Sequence, residues 1–300
     1  MNPLNFIKDP FGFGRRKISR IRKPFETRQD IDQLNILVTG GSKGIGASVV
    51  DKLASRGAKI ICVSRSEPST SKSVTHLKLD LSEPEDLNKL VSNCPTLDGV
   101  VFNAGAMPQK KPSQCNLIDS DRLYLLHVLG PAWITRQLFK LEKLKKQSRV
   151  IVVTSGGALP TPLNTNYMGE LVNPYNKIKQ YAFHKRQQIH LVEYFDQSYA
   201  NSECNFYSMH PGWVDTPGLS QGMPSFYNFT RDMLRQPADG ADTIDWLMCS
   251  QKQESGKLYF DRRRVPTNPL FWVPRIPKNT MLFMHKLERQ LDELDLTLGY

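Results

Sequence analysis

The sequence predicts an α/β protein, a doubly wound parallel sheet of about seven strands with helices on both faces, in a single domain. Two observations predict it. Short β-branched runs, apolar on both faces, recur along the chain and alternate with stretches of helical spacing. Strands of that kind are buried on both sides, and alternation with helices makes the sheet parallel. The first run, "NILVTG" (35–40), also leads straight into the glycine-rich "TGGSKGIG" (39–46) and then into a helix.

The elements follow in order. After strand one, Ile45, Val49 and Leu53 have helical spacing and Gly57 terminates that helix. "KIICVS" (59–64) reads as strand two and "VTHLKL" (74–79) as strand three. Ser82 with Glu85 reads as a capping box opening a helix to about Asn93. "GVVFNAG" (99–105) is strand four, and a long helix is expected from about 118 to 146. "RVIVVTSGG" (149–157) is strand five and "NFYSMHPG" (205–212) strand six, with a helix over about 174–197 between them. A helix near 238–249 and the strand "KLYF" (257–260) complete the domain, placed at about 33–262. Beyond it Pro266, Pro269, Pro274 and Pro277 hold the chain extended. A last helix follows, with Met284, Leu287, Leu291, Leu294 and Leu298 on one stripe. Its acids Glu288, Asp292, Glu293 and Asp295 argue against an anionic membrane surface, so the stripe is expected to pack on the chain's own body or on a second subunit.

Composition excludes several classes. The longest apolar runs are strand-sized, so no transmembrane segment is expected. Five widely spaced cysteines without C-x-x-C argue for a reducing, intracellular compartment, and six histidines form no ligand cluster, so no metal is expected. The net charge of +11 is uneven: residues 15–23, "RRKISRIRK", hold six cations and no acid. This arm (1–32) reads as a solvated tail, a mitochondrial-type presequence, or a patch for acidic lipid or a protein partner. Cytoplasm and mitochondrion both stay open. Nucleic acid is not expected, because no aromatic and basic interleaving follows.

Glycines at a strand-to-helix turn let the backbone approach a pyrophosphate, whose charge then sits at the helix N-terminus. The "TGGSKGIG" loop meets that context, so Gly40, Ser42, Lys43, Gly44, Ile45 and Gly46 are candidates for dinucleotide binding on a Rossmann-type sheet. A cofactor without a 2′-phosphate wants a carboxylate at the end of strand two. Here Ser64 and Arg65 stand there, with Lys43 in the loop, so NADP(H) is favoured over NAD(H). Arg65 as a plain surface cation is the alternative.

Taken together, "TGGSKGIG", "LDL" around Asp80, "NAG" at 103–105, Ser155 ending strand five, Tyr-x-x-x-Lys and "HPGWVDT" (210–216) resemble, in order, the motifs of the short-chain dehydrogenase/reductase family. The resemblance covers about 35–260. It implies that Asp80 and Leu81 flank the adenine, that Asn103, Ala104 and Gly105 lie beside the ribose, and that Pro211, Gly212 and Thr216 surround the nicotinamide end. It also implies that Ser155 polarises the substrate oxygen, a Tyr moves the proton, and a Lys binds the nicotinamide ribose and lowers the Tyr pKa.

Two pairs fit Tyr-x-x-x-Lys: Tyr175 with Lys179, and Tyr181 with Lys185. Six residues apart on one helix, they face directions differing by roughly 120°. Ile178, Ala182, Ile189 and Val192 mark the stripe expected against the sheet, with Tyr181 and Lys185 at its edge and Tyr175 and Lys179 turned towards solvent. The 30 residues from Tyr181 to Pro211 also resemble the family's spacing, and "YAFHKRQQ" resembles one of its branches. Ser155, Tyr181 and Lys185 are therefore the candidate catalytic residues, with Lys185 also a cofactor ligand.

Two departures stand out. The interval from Ser155 to Tyr181 is about twice the family's common one, making 158–174 an insertion near the site. His127 stands where many members of the family have an Asn that supports a proton relay from the Lys. The first functional expectation is an NADP(H)-dependent oxidoreductase acting on a small carbonyl or secondary alcohol. Its substrate is expected to be apolar, from Trp213, Leu219, Met223, Phe226, Tyr227 and Phe229. The second is a cofactor-binding subunit of the same fold, a homo-oligomer or part of a larger assembly docked through the arm and the last helix.

Overall fold

The computed structural model describes residues 12–14, 23–28, 30–69, 74–107, 122–268, 273 and 276–300. Residues 15–22 of the basic stretch, the expected helix start at 118–121, Pro269 and Pro274 lie outside the described residues.

Strand β1 (Asn35–Thr39) buries Ile36, Leu37 and Val38 completely. Helix α1 (Gly44–Ser55) follows, burying Val49, Val50 and Leu53. Then come β2 (Lys59–Ser64), β3 (Val74–Lys78), α2 (Pro84–Asn93) and β4 (Leu97–Phe102). Helix α3 is continuous through Arg122–Tyr124, a π-helical turn over Leu125–Leu129, and Gly130–Lys140. Strand β5 (Leu144–Val153), α4 (Lys177–Ser198) and β6 (Asn205–Met209) complete the second half of the winding. Two short helices, α5 (Pro217–Gly222) and α6 (Pro224–Thr230), precede α7 (Pro237–Cys249). The chain then forms β7 (Lys257–Phe260), β8 (Arg263–Val265) and α8 (Pro277–Leu298).

The strands form one sheet in the order β3-β2-β1-β4-β5-β6-β7-β8. All neighbours pair in parallel except β7 and β8, an antiparallel hairpin. The sheet therefore has eight strands rather than about seven. The extra one is short and largely exposed, so it carries no apolar run to betray it. Period-two alternation divides the side chains between two layers. Leu37, Val100 and Val150 pack under α2, α3, α4 and α8, while Ile36, Val38, Val101 and Ile151 pack under α1 and α7. Between β1 and β4 the direction of winding reverses, and a crevice opens there beyond the carboxyl ends of the strands.

Several boundaries differ from expectation. Helix α3 stops at Lys140, and residues 144–148 belong to β5, whose polar "KKQS" start reads as exposed helix in the sequence. Strand β5 ends at Val153, not Gly157, because Gly156–Ala158 turns into a 3-10 helix capped by Ser155. The Ser82 capping box does not form: Ser82 Oγ donates to Asp80 Oδ1 at 2.7 Å, and α2 opens on Pro84 without a side-chain cap. Helix α4 starts at Lys177, capped by the Asn176 side chain, which accepts from Ile178 and Lys179 N–H. Ile178 is 47% exposed rather than part of the sheet-facing stripe. From Phe183 to Phe195 the helix is buried all round. The sheet lies on one side of it, the π-turn of α3 and helix α8 on the other.

Helix α8 buries Phe283, Leu287, Leu291 and Leu294 against the chain's own core. Three of its four acids pair with Arg136 of α3, although only Asp295 is buried. Arg136 pairs with Glu288, with Asp292 at 2.7 Å and with Asp295 at 3.4 Å. Asp295 further accepts from Trp133 Nε1 at 2.7 Å and Gln137 Nε2 at 2.5 Å, and pairs with Lys140 at 2.7 Å. Among the described residues no helix is long and apolar enough to cross a membrane, and no group of three His, Cys, Asp or Glu is placed to hold a metal.

Candidate active site

A cavity of about 1050 Å³ opens at the crevice, and one wall of it is the glycine loop. Gly40 and Gly44 have φ of +67° and +56°, conformations that side chains resist. A Cβ on Gly46 would lie 2.1 Å from the Gly40 carbonyl, so the turn closes only with glycine there. Among the described residues no side chain caps α1, so the N–H groups of its first turn are left to an external acceptor. Ser42, Lys43 and Ile45 line the cavity beside them.

Thr39 and Asn103 fix this loop against β4. Thr39 Oγ1 accepts from the N–H groups of Asn103 and Ala104, at 3.1 and 3.0 Å. The Asn103 amide donates to the carbonyls of Thr39 and Gly40, both at 3.1 Å. Gly105 continues the wall close to His127 and Lys185; a Cβ there would meet His127 Nε2 at 3.2 Å and Lys185 Nζ at 3.5 Å.

At the far end of the loop stand Arg65, Asp80 and Leu81. Arg65 is three-quarters exposed, and its guanidinium lies 3.6 Å from the Asp80 carboxylate. The end of strand two itself carries Ser64 and Arg65 and no acid. The fold brings an acid there from the end of β3. Asp80 is held by Ser82, whose N–H and hydroxyl both donate to it.

The other end holds the candidate catalytic residues. Ser155, Tyr181 and Lys185 all line the cavity, with the Tyr181 phenol near enough to the Ser155 side chain to feel it electrostatically. Burial pushes the Tyr181 phenol up to about 12, against the opposing effect of the Ser155 side chain. Burial pushes the Lys185 amine down to about 7. Its Nζ donates to the Val153 carbonyl at 2.9 Å, and Thr154 Oγ1 donates to the Lys185 carbonyl at 2.5 Å. Strand end and helix are thus tied at two points.

Tyr175 precedes the N-cap of α4, so the angular argument that separates the two pairs does not apply to it. Its side chain lines the same cavity, whereas Lys179 is exposed and lies over the Phe183 ring. Of the two Tyr-x-x-x-Lys pairs, the cavity therefore gathers both tyrosines but only Lys185 of the lysines. Leu171, from the insertion, lines it too.

His127 sits in the π-turn, fully buried. Its Nε2 accepts from the Ala106 N–H at 3.1 Å, and its Nδ1 lies 3.1 Å from His184 Nδ1. Burial, then the charge of Lys185 and of His184, holds its imidazole well below the usual histidine range, so it is neutral. Its main-chain carbonyl accepts from Gln188 Nε2 at 2.7 Å.

Pro211, Gly212 and Thr216 close the wall after β6. Thr216 caps α5, accepting from Leu219 N–H at 3.2 Å, and a Cβ on Gly44 would meet its methyl at 3.2 Å, so the two candidate cofactor segments lie against each other. Phe13, Arg235 and His184 support the site and went unremarked in the sequence. Only the flanking glycines of "GFG" (12–14) signal a tightly packed turn.

Comparison with known proteins agrees with this architecture. A family model described as short chain dehydrogenase matches residues 34–223. The chain is 34% identical over 285 residues to dehydrogenase/reductase SDR family member 12 of Homo sapiens, covering 89% of each protein. Among solved structures, the fold resembles 3-ketoacyl-(acyl-carrier-protein) reductase from Brucella melitensis complexed with NADH. That match has TM-score 0.59 and 19% identity, covering 76% of this chain and 96% of that one. It also resembles BdcA in complex with NADPH, with TM-score 0.58 and 19% identity over 75% and 91% of the two chains.

Proposed function

This chain belongs to the short-chain dehydrogenase/reductase family of oxidoreductases, and from that premise we propose that it is an NADP(H)-dependent carbonyl reductase or alcohol dehydrogenase for an apolar substrate. One observation carries the proposal: a single cavity has the glycine loop at one end and Ser155, Tyr181 and Lys185 at the other. The cradle fits a dinucleotide, since Gly40, Gly44 and Gly46 leave room at the turn where side chains would obstruct it. Asn103, Ala104 and Gly105 would border the ribose, and Pro211, Gly212 and Thr216 the nicotinamide. Arg65 and Lys43 are the cations for a 2′-phosphate, with Asp80 and Leu81 about the adenine.

The nicotinamide supplies or accepts the hydride. The chain's own residues manage the oxygen and the proton. Ser155 donates to the substrate oxygen and holds it beside the Tyr181 hydroxyl. In reduction, Tyr181 gives its proton to the oxygen as the carbonyl carbon gains hydride, leaving a tyrosinate that is reprotonated from solvent. A protonated Lys185 favours that tyrosinate, which burial alone disfavours. The apolar preference follows from the side chains lining the substrate end, Leu171, Ile178, Trp213, Leu219, Met223 and Phe226.

A second reading is favoured by His127. Both of its ring nitrogens and its carbonyl are engaged by protein groups, and none of these hydrogen bonds is to Lys185. The chain would then bind NADP(H) as an assembly subunit without useful turnover. A panel of ketones and aldehydes, followed by NADPH absorbance, separates the two. Turnover lost by at least about 10²-fold in Tyr181→Phe but kept in Tyr175→Phe supports the oxidoreductase. Tight NADPH binding with no turnover across the panel supports the subunit.

A further inference from the structure

The N-terminal arm is expected to lie outside the catalytic fold, yet three of its residues pack directly behind the cavity wall, against Gly212 and Trp213. Phe13 places its ring edge-on to His210, at 4.9 Å between centroids, and to Phe260, at 5.5 Å. Its carbonyl accepts from the Trp213 N–H at 2.8 Å. On either side, Gly12 and Gly14 present carbonyls to the guanidinium of Arg235, at 3.1 and 3.0 Å. Arg235 is 1% exposed and paired with Asp261 at 2.5 Å. Its own backbone brackets the same loop: its N–H donates to the Trp213 carbonyl at 2.7 Å, and its carbonyl accepts from the Asp215 N–H at 2.9 Å.

Two glycines of the site are shaped around this segment. A Cβ on Gly212 would lie 2.4 Å from the Phe13 carbonyl, and a Cβ on Gly156, next to Ser155, would lie 2.8 Å from the Phe13 ring. The ring is therefore wedged between the turn that carries Ser155 and the loop that carries Gly212. Neither contact is available to a tail that merely rests on the surface.

We infer that Gly12-Phe13-Gly14 is a strap that sets the position of the loop from Pro211 to Thr216, with Phe13 as its positioning residue. The inference that this loop meets the nicotinamide rests on the functional reading above; the hold of the strap on the loop does not. Phe13 touches no reacting group. It acts by removing the freedom of Trp213 and Gly212, so its loss loosens one wall of the cavity and leaves the sheet intact.

Hydrogen–deuterium exchange on the full chain tests this, comparing wild type, Phe13→Ala, Gly156→Ala and the double variant. In Phe13→Ala, amides over 210–216 should exchange about tenfold faster, corresponding to about 1.4 kcal/mol of local opening. Those of β1 and β4 should be unchanged. Gly156→Ala, which pushes on the ring, should loosen the same amides but have no further effect once Phe13 is Ala. Unchanged exchange at 210–216, a uniform rise across the sheet, or additive effects of the two substitutions would each overturn the strap. A loosened loop with NADPH affinity equal to wild type would overturn its positioning role. Wild type that binds neither NADPH nor NADH sinks the functional reading, while the exchange pattern still decides the strap.

Discussion

The Lys185 ammonium lies 5.5 Å from the centroid of the Tyr181 ring, one helical turn away on α4, and its hydrogen bond goes to Val153 rather than to the phenol. Two titratable groups thus share one buried pocket, and burial displaces each towards its neutral form.

That displacement makes stability depend on pH. With Lys185 held at about 7, the folded chain carries fewer protons than the unfolded one between about pH 7 and 10.5, so stability rises with pH across that window. Tyr181, held at about 12, opposes the trend only above about pH 10. Lys185→Met removes the cost of burying the amine. It should stabilise the chain by about 3 kcal/mol near pH 7, after allowing for the lost bond to Val153, and flatten the rise towards pH 10. Urea melts at pH 7, 8 and 9.5 check this; a variant no more stable than wild type at pH 7 refutes it.

The charge at the end of β2 should set cofactor preference. Arg65→Glu places two carboxylates beside each other, since Asp80 is already there. NADPH affinity should fall at least about tenfold and NADH affinity much less. Fluorescence titration with both dinucleotides measures the ratio, and equal losses for the two would show that Arg65 does not read the 2′-phosphate.

Gly46 should tolerate no side chain. A Cβ there meets the Gly40 carbonyl at 2.1 Å, so Gly46→Ala is expected to cost about 2 kcal/mol or more and to abolish dinucleotide binding. Gly218→Ala serves as the thermodynamic control, because nothing lies within 4 Å of its Cβ position. Thermal melts of both variants would contradict the expectation if they shifted alike.

Asp295 should be the anchor of α8. Asp295→Ala strips partners from Trp133, Gln137, Arg136 and Lys140 together. Burial of the orphaned Trp133 and Gln137 donors predicts a loss of about 2–4 kcal/mol, while Arg136 keeps Glu288 and Asp292. Guanidinium melts give the number, and limited proteolysis should cut first within 277–298. Retained stability would mean that the apolar stripe alone holds the helix.

Sequence reading succeeds here where local pattern decides the outcome. Each central strand announces itself because both of its faces are buried, and the glycine loop because its backbone admits nothing larger. The four-residue spacing of Tyr181 and Lys185 is legible as one helical turn, but Tyr175 and Lys179 share it, and the sequence does not show that the helix starts only after Tyr175. Sequence reading fails where a distant segment decides. The polar "KKQS" of β5 falls in a register shift, between the pairs that Leu144 and Arg149 make with Leu97 and Gly99 of β4, and nothing in the residues themselves announces it. Ser82 is drawn from capping a helix to holding Asp80. The acids of α8 read as a solvated face because Arg136 lies far away in the chain. Phe13 has no periodicity at all; its place is dictated by Trp213 and Arg235, some 200 residues later.

The late position of α8 has a consequence for biosynthesis. The sheet needs nothing after Val265, so all eight strands can assemble while the last helix is still inside the ribosome. Until Phe283, Leu287, Leu291 and Leu294 emerge, the faces of α3 and α4 that they cover stay open to water and to other nascent chains. Translation stalled near residue 270 would release a chain with a finished sheet and a sticky flank, a natural client for chaperones. A few seconds of synthesis separate that species from the sealed protein.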